Sequence, residues 1–209
     1  MKNFHNISDK KYTSKFSIIT VSLNSAPYIE RSMKSVFSQT YPQLEYLIID
    51  GGSDDGTVEI VHQFRDGVDY FIREPDNGIY DAMNKGIKIA TGEILFFLNS
   101  DDYFADPKVV EDVAKVYREN PKVDVVFGNQ IFDKGDRRLI KKQLFKNPKI
   151  QLARTNVQHQ TLFAKKKILE LTGGFSTKYK IVSDYEWMLK TFLVNKCNYI
   201  YIDREISVM

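Results

Sequence analysis

The sequence is poor in the features that mark several large functional classes. It has one cysteine, Cys197, in 209 residues, so neither a disulfide framework nor a multi-cysteine metal site can be assembled. That cysteine sits in the apolar run leading to Tyr199 and Ile200 and reads as a buried thiol in an intracellular protein. No run of about 18 apolar residues is present, so no segment reads as a membrane-spanning helix. Residues 1–15 are polar and lack the apolar stretch of a secretory signal, so they read as a flexible leader. The net charge of +3 is too small an excess to argue for nucleic acid as a partner. It is compatible with anionic small ligands or an anionic membrane surface. A P-loop is absent, which excludes the nucleotide hydrolases built on it. Residues 21–28 contain no glycine, against a sugar nucleotidyltransferase. Residues 22–24 contain no acid, against a phosphatase with an aspartyl nucleophile. No repeat, low-complexity tract or linker appears.

What is present is a chain that is 43% hydrophobic, enough for the core of one domain and too short for two ordinary ones. Three near-continuous apolar runs predict buried parallel strands: residues 16–23 (FSIITVSL), 44–49 (LEYLII) and 94–98 (ILFFL). Helical spacing separates them, at Ile29, Met33, Val36 and Phe37, at Val58, Ile60, Val61 and Phe64, and at Ala82, Met83, Gly86, Ile87 and Ala90. Asp106 followed by Pro107 predicts a helix start, with Val109, Val113, Val116 and Tyr117 on its apolar face. The alternation predicts an α/β fold with a mostly parallel sheet. Further strands are expected over 68–72, 123–127 and around 199–202. Residues 135–142 read as a basic loop or edge hairpin. A short helix over 165–171 is stopped by Gly173. Ser183 to Glu186 fits a capping box ahead of a last helix.

In an open parallel sheet, ligands bind beyond the carboxyl ends of the strands. Here Asp50-Gly51-Gly52-Ser53-Asp54-Asp55-Gly56 follows the second strand, and Asn99-Ser100-Asp101-Asp102 follows the strand at 94–98. Adjacent carboxylates at the end of an apolar strand are costly unless their charge is compensated, and a divalent cation with oxygen ligands does so.

The runs FSIITVSLN, SVFSQTYPQLEYLIIDGGSDDGT and EPDNGIYDAMNKGIKIATGEILFFLNSDDYF resemble a family 2 glycosyltransferase, and the resemblance extends over residues 16–205. It implies the GT-A fold over residues 16–209 and transfer from a nucleotide-diphospho-sugar, with UDP favoured. It implies inversion at the anomeric carbon and a divalent metal, Mn²⁺ or Mg²⁺. Asp50 falls at the acid that holds the nucleotide base, and Val21 and Leu23 at positions touching that base, the second of which is often aromatic in the family. Asn84 falls in the block facing the diphosphate and donor sugar. Asn99-Ser100-Asp101 occupies the DxD site with Asn in place of the first acid, leaving Asp101 as metal ligand and Asp102 as helper to the metal or donor. Asp184 falls at the catalytic base, preceded by Ser183 where Glu is usual. Asp81 either touches the nucleotide or starts its helix. His159 either faces the site or is structural, and Trp187 either stacks on the acceptor or belongs to the core. The resemblance is to bacterial enzymes of surface polysaccharide synthesis. A glycan or lipid-linked acceptor and a cytoplasmic location are therefore expected, with possible contact at the inner membrane face through Arg137, Arg138, Lys141 and Lys142. Relatives usually continue past the strand at 199–202, so further acceptor-side structure is expected beyond it in longer members. The competing reading is a non-catalytic module that binds nucleotide-sugars.

Overall fold

The computed structural model describes residues 14–209 except 136, 144 and 156. The leader expected over 1–15 lies, apart from its last two residues, outside the described residues. Four strands form the first half of the sheet, all parallel: β1 (Phe16–Ser22), β2 (Leu44–Asp50), β3 (Tyr70–Arg73) and β4 (Ile94–Phe97), in the order β3-β2-β1-β4. Their crossovers are α1 (Ile29–Phe37), α2 (Thr57–Gln63) and α3 (Ile79–Ile89). Every residue of β1 and β4 is buried. Ile18, Ile48 and Phe96 pack into one core with Met33 and Val113, while Ile19, Leu47 and Leu95 pack into a second with Met83 and Trp187. A strand covered on both faces has no solvated side, which is why these runs are apolar throughout.

The second half is mixed. After β5 (Tyr103–Phe104) and α4 (Val109–Glu119) come β6 (Val125–Asp133), the edge strand β7 (Arg138–Lys141), α5 (Pro148–Arg154), β8 (Leu162–Lys165), α6 (Lys166–Thr172), α7 (Ser183–Leu189) and β9 (Tyr199–Val208). β8 runs antiparallel between β4 and β6, and β9 lies parallel to β6. β6 and β9 extend well beyond their predicted ends. Gly128 makes their close approach possible, since a Cβ there would lie 2.4 Å from the Arg204 carbonyl oxygen, at a register shift in the ladder. A glycine followed by Asn129 and Gln130 does not read as strand interior, and the charges of residues 203–205 hide β9 in the same way.

Two helix starts differ from expectation. Asp106 is not the cap of α4, whose N-cap is Lys108. Its carboxylate instead accepts the Lys108 amide and pairs with Arg204. The capping box at 183–186 does not form. Val182 occupies the cap position with φ 93°, the Ser183 hydroxyl is buried without a partner, and Glu186 pairs with Lys190. α5 was not anticipated, although its signal is present: Asn147 accepts the Lys149 amide and Pro148 is the first helical residue.

Candidate functional site

The strand order reverses direction between β1 and β4, and a cleft of about 460 Å³ opens at their carboxyl ends. That volume suits a small organic ligand. Val21 lines it from β1 and Leu23 from just after it, Ile79 and Ala82 from the start of α3, and Asn99 and Asp101 from the loop that follows β4. Leu23 is 57% exposed and presents an aliphatic face to the opening. The Ser25 and Ser100 hydroxyls, 2.7 Å apart, tie the two strand ends together. α3 comes close to β1 because residue 86 is glycine; a Cβ there would meet Ile19 Cγ2 at 2.6 Å.

Asp50 lies at the end of β2, behind the cleft. Its carboxylate is fully buried and accepts the Ser22 hydroxyl, the Ser53 hydroxyl and the Gly52 and Ser53 amides. These bonds fix the Gly51-Gly52-Ser53 turn, and the carboxylate is not among the groups lining the cleft. Besides Asp101, the acid that lines it is Asp76, which accepts the Gly78 amide at the start of α3. In the sequence Asp76 is one acid in a polar loop, and only its position opposite Gly51 identifies it.

At the end of β4, Asp101 is exposed and Asp102 is buried. The Asn99 amide donates to Asp102 Oδ2 at 3.2 Å, while Asn99 Oδ1 and Asp102 Oδ1 are buried and lack a hydrogen-bond partner. Burial, then the neighbouring Asp101 charge, pushes the Asp102 carboxyl up to about 7, against the lowering effects of Asn99 and Arg31. No group of three or more His, Cys, Asp or Glu side chains suited to a metal occurs among the described residues. The donor set is therefore incomplete as an all-protein cage. Two orphaned oxygens beside an exposed carboxylate fit a hard cation that takes its other ligands from water and phosphate.

Across α3 from the cleft, three side chains from three segments meet. The Tyr80 hydroxyl donates to Asp184 Oδ1 at 2.8 Å and accepts the Val182 amide at 3.2 Å. His159 Nδ1 lies 2.9 Å from Asp184 Oδ2. Asp184 stands in the first turn of α7, where the helix dipole favours its charge. Burial would raise its carboxyl, but the bond to and charge of His159, with the Tyr80 hydroxyl and the Tyr185 amide, hold it below the usual carboxylate range. The Tyr80 phenol is pushed up to about 12 by burial and by Asp184. His159 is thus placed beside Asp184. Tyr80 was not singled out from the sequence, where it reads as one more apolar helix residue.

Three other expected site residues are placed elsewhere. The Asn84 amide clamps the Phe175 backbone, donating to the carbonyl at 2.7 Å and accepting the amide at 2.9 Å, and it is not among the groups lining the cleft. Trp187 is 3% exposed, donates to the Thr172 hydroxyl and packs on Phe175, so it is a core residue and not a stacking platform. Asp81 accepts the Asn77 amide, closing the first turn of α3, and lies 3.8 Å from Lys85. Cys197 is buried and unpaired, as expected. Among the described residues no helix is long and apolar enough to cross a membrane.

Comparison with known proteins adds an independent line. The sequence matches the profile described as Glycosyl transferase family 2 over residues 17–183. It is 34% identical over 185 residues to an uncharacterized glycosyltransferase of Mycobacterium tuberculosis, covering 85% of this chain and 69% of that protein. In fold it is similar to S. aureus TarS 1-349 in complex with UDP (TM-score 0.78, 24% identity, 93% of this chain). It is also similar to the mannosyltransferase PcManGT from Pyrobaculum calidifontis in complex with GDP-Man and Mn²⁺ (TM-score 0.72, 22% identity, 100% of this chain). The chain spans 60% of the length of each of these two solved chains.

Proposed function

The chain belongs to glycosyl transferase family 2 and has the GT-A fold, and from that premise we propose that it transfers a sugar from a nucleotide-diphospho-sugar, UDP-linked, to an acceptor hydroxyl with inversion. One observation carries this reading. Ile79 and Tyr80 are consecutive residues at the start of α3; the first lines the cleft and the second holds Asp184. The same helix start thus borders the cleft and holds the Asp184 carboxylate, through adjacent residues.

The donor occupies the cleft, with Val21 and Leu23 against its base. Asp76 offers a second acid in the cleft beside Asp101, and Asp50 acts behind it by fixing the glycine turn. Asp101, with Asn99 and Asp102 behind it, would hold Mn²⁺ or Mg²⁺, which would supply Lewis-acid compensation of the diphosphate charge. The acceptor approaches from the Asp184 side. Its oxygen bonds to the anomeric carbon as the bond to the diphosphate breaks, and its proton is drawn off at the Asp184 centre. Attack opposite the leaving group inverts the anomeric carbon.

The acceptor class is a glycan or lipid-linked hydroxyl of a bacterial surface polysaccharide, reached from the cytoplasm. Contact with an anionic membrane face occurs at β7, where exposed Leu139 and Ile140 lie among Arg137, Arg138, Lys141 and Lys142.

Thermal shift with UDP, GDP, CDP and dTDP, each with and without Mn²⁺, tests the donor site. UDP with Mn²⁺ is expected to raise the melting temperature of the wild type, since a ligand bound only by the folded state stabilises it. Asp101→Ala is expected to lose the metal-dependent part. Indifference of the wild type to all four nucleotides would remove the basis of this reading.

A further inference from the structure

Tyr80 and Asn84 stand four residues apart, on one face of α3. Both reach the segment that joins α6 to α7. Asn84 holds the Phe175 backbone by two hydrogen bonds, and the Tyr80 hydroxyl accepts the Val182 amide. Gly174 permits the first of these clamps, since a Cβ there would lie 2.5 Å from Asn84 Oδ1. Residues 176–181 are thus an arch pinned to α3 at both ends. Between the arch and the start of α3 lies a second pocket, of about 400 Å³, within the range of small-ligand sites.

This pocket adjoins the donor cleft, because Gly78 and Ile79 line both. Tyr80, whose hydroxyl holds Asp184, is part of its wall. A molecule in the pocket is therefore a neighbour of a donor in the cleft, on the side of that carboxylate. The arch supplies Thr177, Tyr179 and Lys180. Tyr179 is 49% exposed, and neither its ring nor its hydroxyl has a partner among the described residues. An open aromatic ring beside hydroxyl and amide groups suits a sugar, which has an apolar C–H face and a polar rim. The charges of the wall are unequally matched. Asp81 already accepts the Asn77 amide and lies 3.8 Å from Lys85. Lys180 meets no acid among the described residues. The spare charge of the pocket is therefore positive.

We propose that this second pocket is the acceptor site, that it takes a sugar carrying a negative group, and that Tyr179 and Lys180 set this specificity. The apolar face of the sugar lies on the Tyr179 ring, and its carboxylate or phosphate pairs with Lys180. This rests on the transferase reading above and gives the acceptor a chemical class.

Saturation-transfer NMR titrations of the chain loaded with UDP and Mg²⁺ test it, with methyl β-glucuronide and glucose 6-phosphate set against methyl β-glucoside. An anionic sugar is expected to bind about 3–10-fold more tightly than the neutral one, and the tighter of the two identifies the group as carboxylate or phosphate. Lys180→Gln is expected to abolish that preference and leave the glucoside unaffected. Tyr179→Ala is expected to weaken all three sugars about 5-fold. Both side chains are exposed, so both variants are expected to keep the wild-type thermal shift with UDP and Mg²⁺. No sugar bound by a wild type that responds to UDP, a preference that survives Lys180→Gln, or binding unchanged in Tyr179→Ala would each overturn the proposal. Loss of the bound sugar when UDP-glucose replaces UDP would also overturn it, by giving the pocket to the donor's own sugar. A wild type indifferent to UDP that still binds the anionic sugar through Tyr179 and Lys180 would support the saccharide pocket and count against the transferase reading instead.

Discussion

Burial and the adjacent Asp101 push the Asp102 carboxyl up to about 7, and the sign of its effect on stability follows. Between the ordinary carboxylate range and pH 7 the folded chain holds a proton that the unfolded chain has released, so this group lowers stability as pH rises through that window. Asp102→Asn removes the titration. Without added metal, chemical denaturation is expected to find the variant more stable than wild type at pH 8, by on the order of 3 kcal/mol, with the difference shrinking to nearly nothing by pH 4. An unchanged difference across that range would show that Asp102 titrates normally. Glu45 shows the opposite balance. Burial would raise its carboxyl, but hydrogen bonds from Lys15, Ser17 and Thr91 bring it down to about 2. It contributes stability above the ordinary range that is lost as pH falls toward 2. Both residues are acids beside apolar strands in the sequence. What separates them is the four donor groups that the fold brings to Glu45, against deep burial next to the Asp101 carboxylate for Asp102.

Among the elements, α7 sets the position of Asp184 through an unfavourable backbone. Val182 is β-branched, half exposed and held at φ 93°, a conformation that costs about 1–3 kcal/mol for such a residue. Its amide reaches Tyr80 and its carbonyl accepts the Glu186 amide, so the strain is held by the bonds that set the start of α7. Val182→Gly is expected to stabilise the fold by about 0.5–1 kcal/mol in urea titration; a loss of stability would mean that the valine side chain contributes more than its exposure suggests. The predicted capping box failed here because Val182 takes the cap position, Ser183 is buried without a partner, Asp184 is drawn to Tyr80 and His159, and Glu186 pairs with Lys190 one turn on; a four-residue pattern carries no information about the first three. Gly173 did stop α6 in the left-handed conformation, since that requirement is local and visible in the sequence.

For the whole molecule, the legible part is the parallel half. Doubly buried strands announce themselves as apolar runs, and glycine and acid clusters mark their carboxyl ends. The mixed half was read less well. Its strands β6 and β9 carry Gly, Asn, Gln and charged residues through the sheet, and its site residues meet only through long-range packing. Asp50, Asn84 and Trp187, singled out in the sequence, make a turn anchor, a backbone clamp and a buried ring in the structure, contacts that no local pattern announced. At the edge of the sheet, Leu139 and Ile140 are each about half exposed among basic residues. Cosedimentation is expected to show binding to anionic vesicles and not to zwitterionic ones, weakened by Leu139→Ser with Ile140→Ser and by raised salt. Equal binding to both vesicle types would dissociate β7 from membranes.

The Ile79–Tyr80 step has a consequence for how the chain matures during synthesis. Everything that lines the cleft lies before residue 102, whereas His159 and Asp184 arrive with the last quarter of the chain. A domain folds as a unit, and one core joins Ile19, Leu47 and Leu95 of the first strands to Trp187 and Met188 of α7. The cleft and the carboxylate beside it therefore mature together, late in synthesis, and Tyr80 meets Asp184 only when α7 docks.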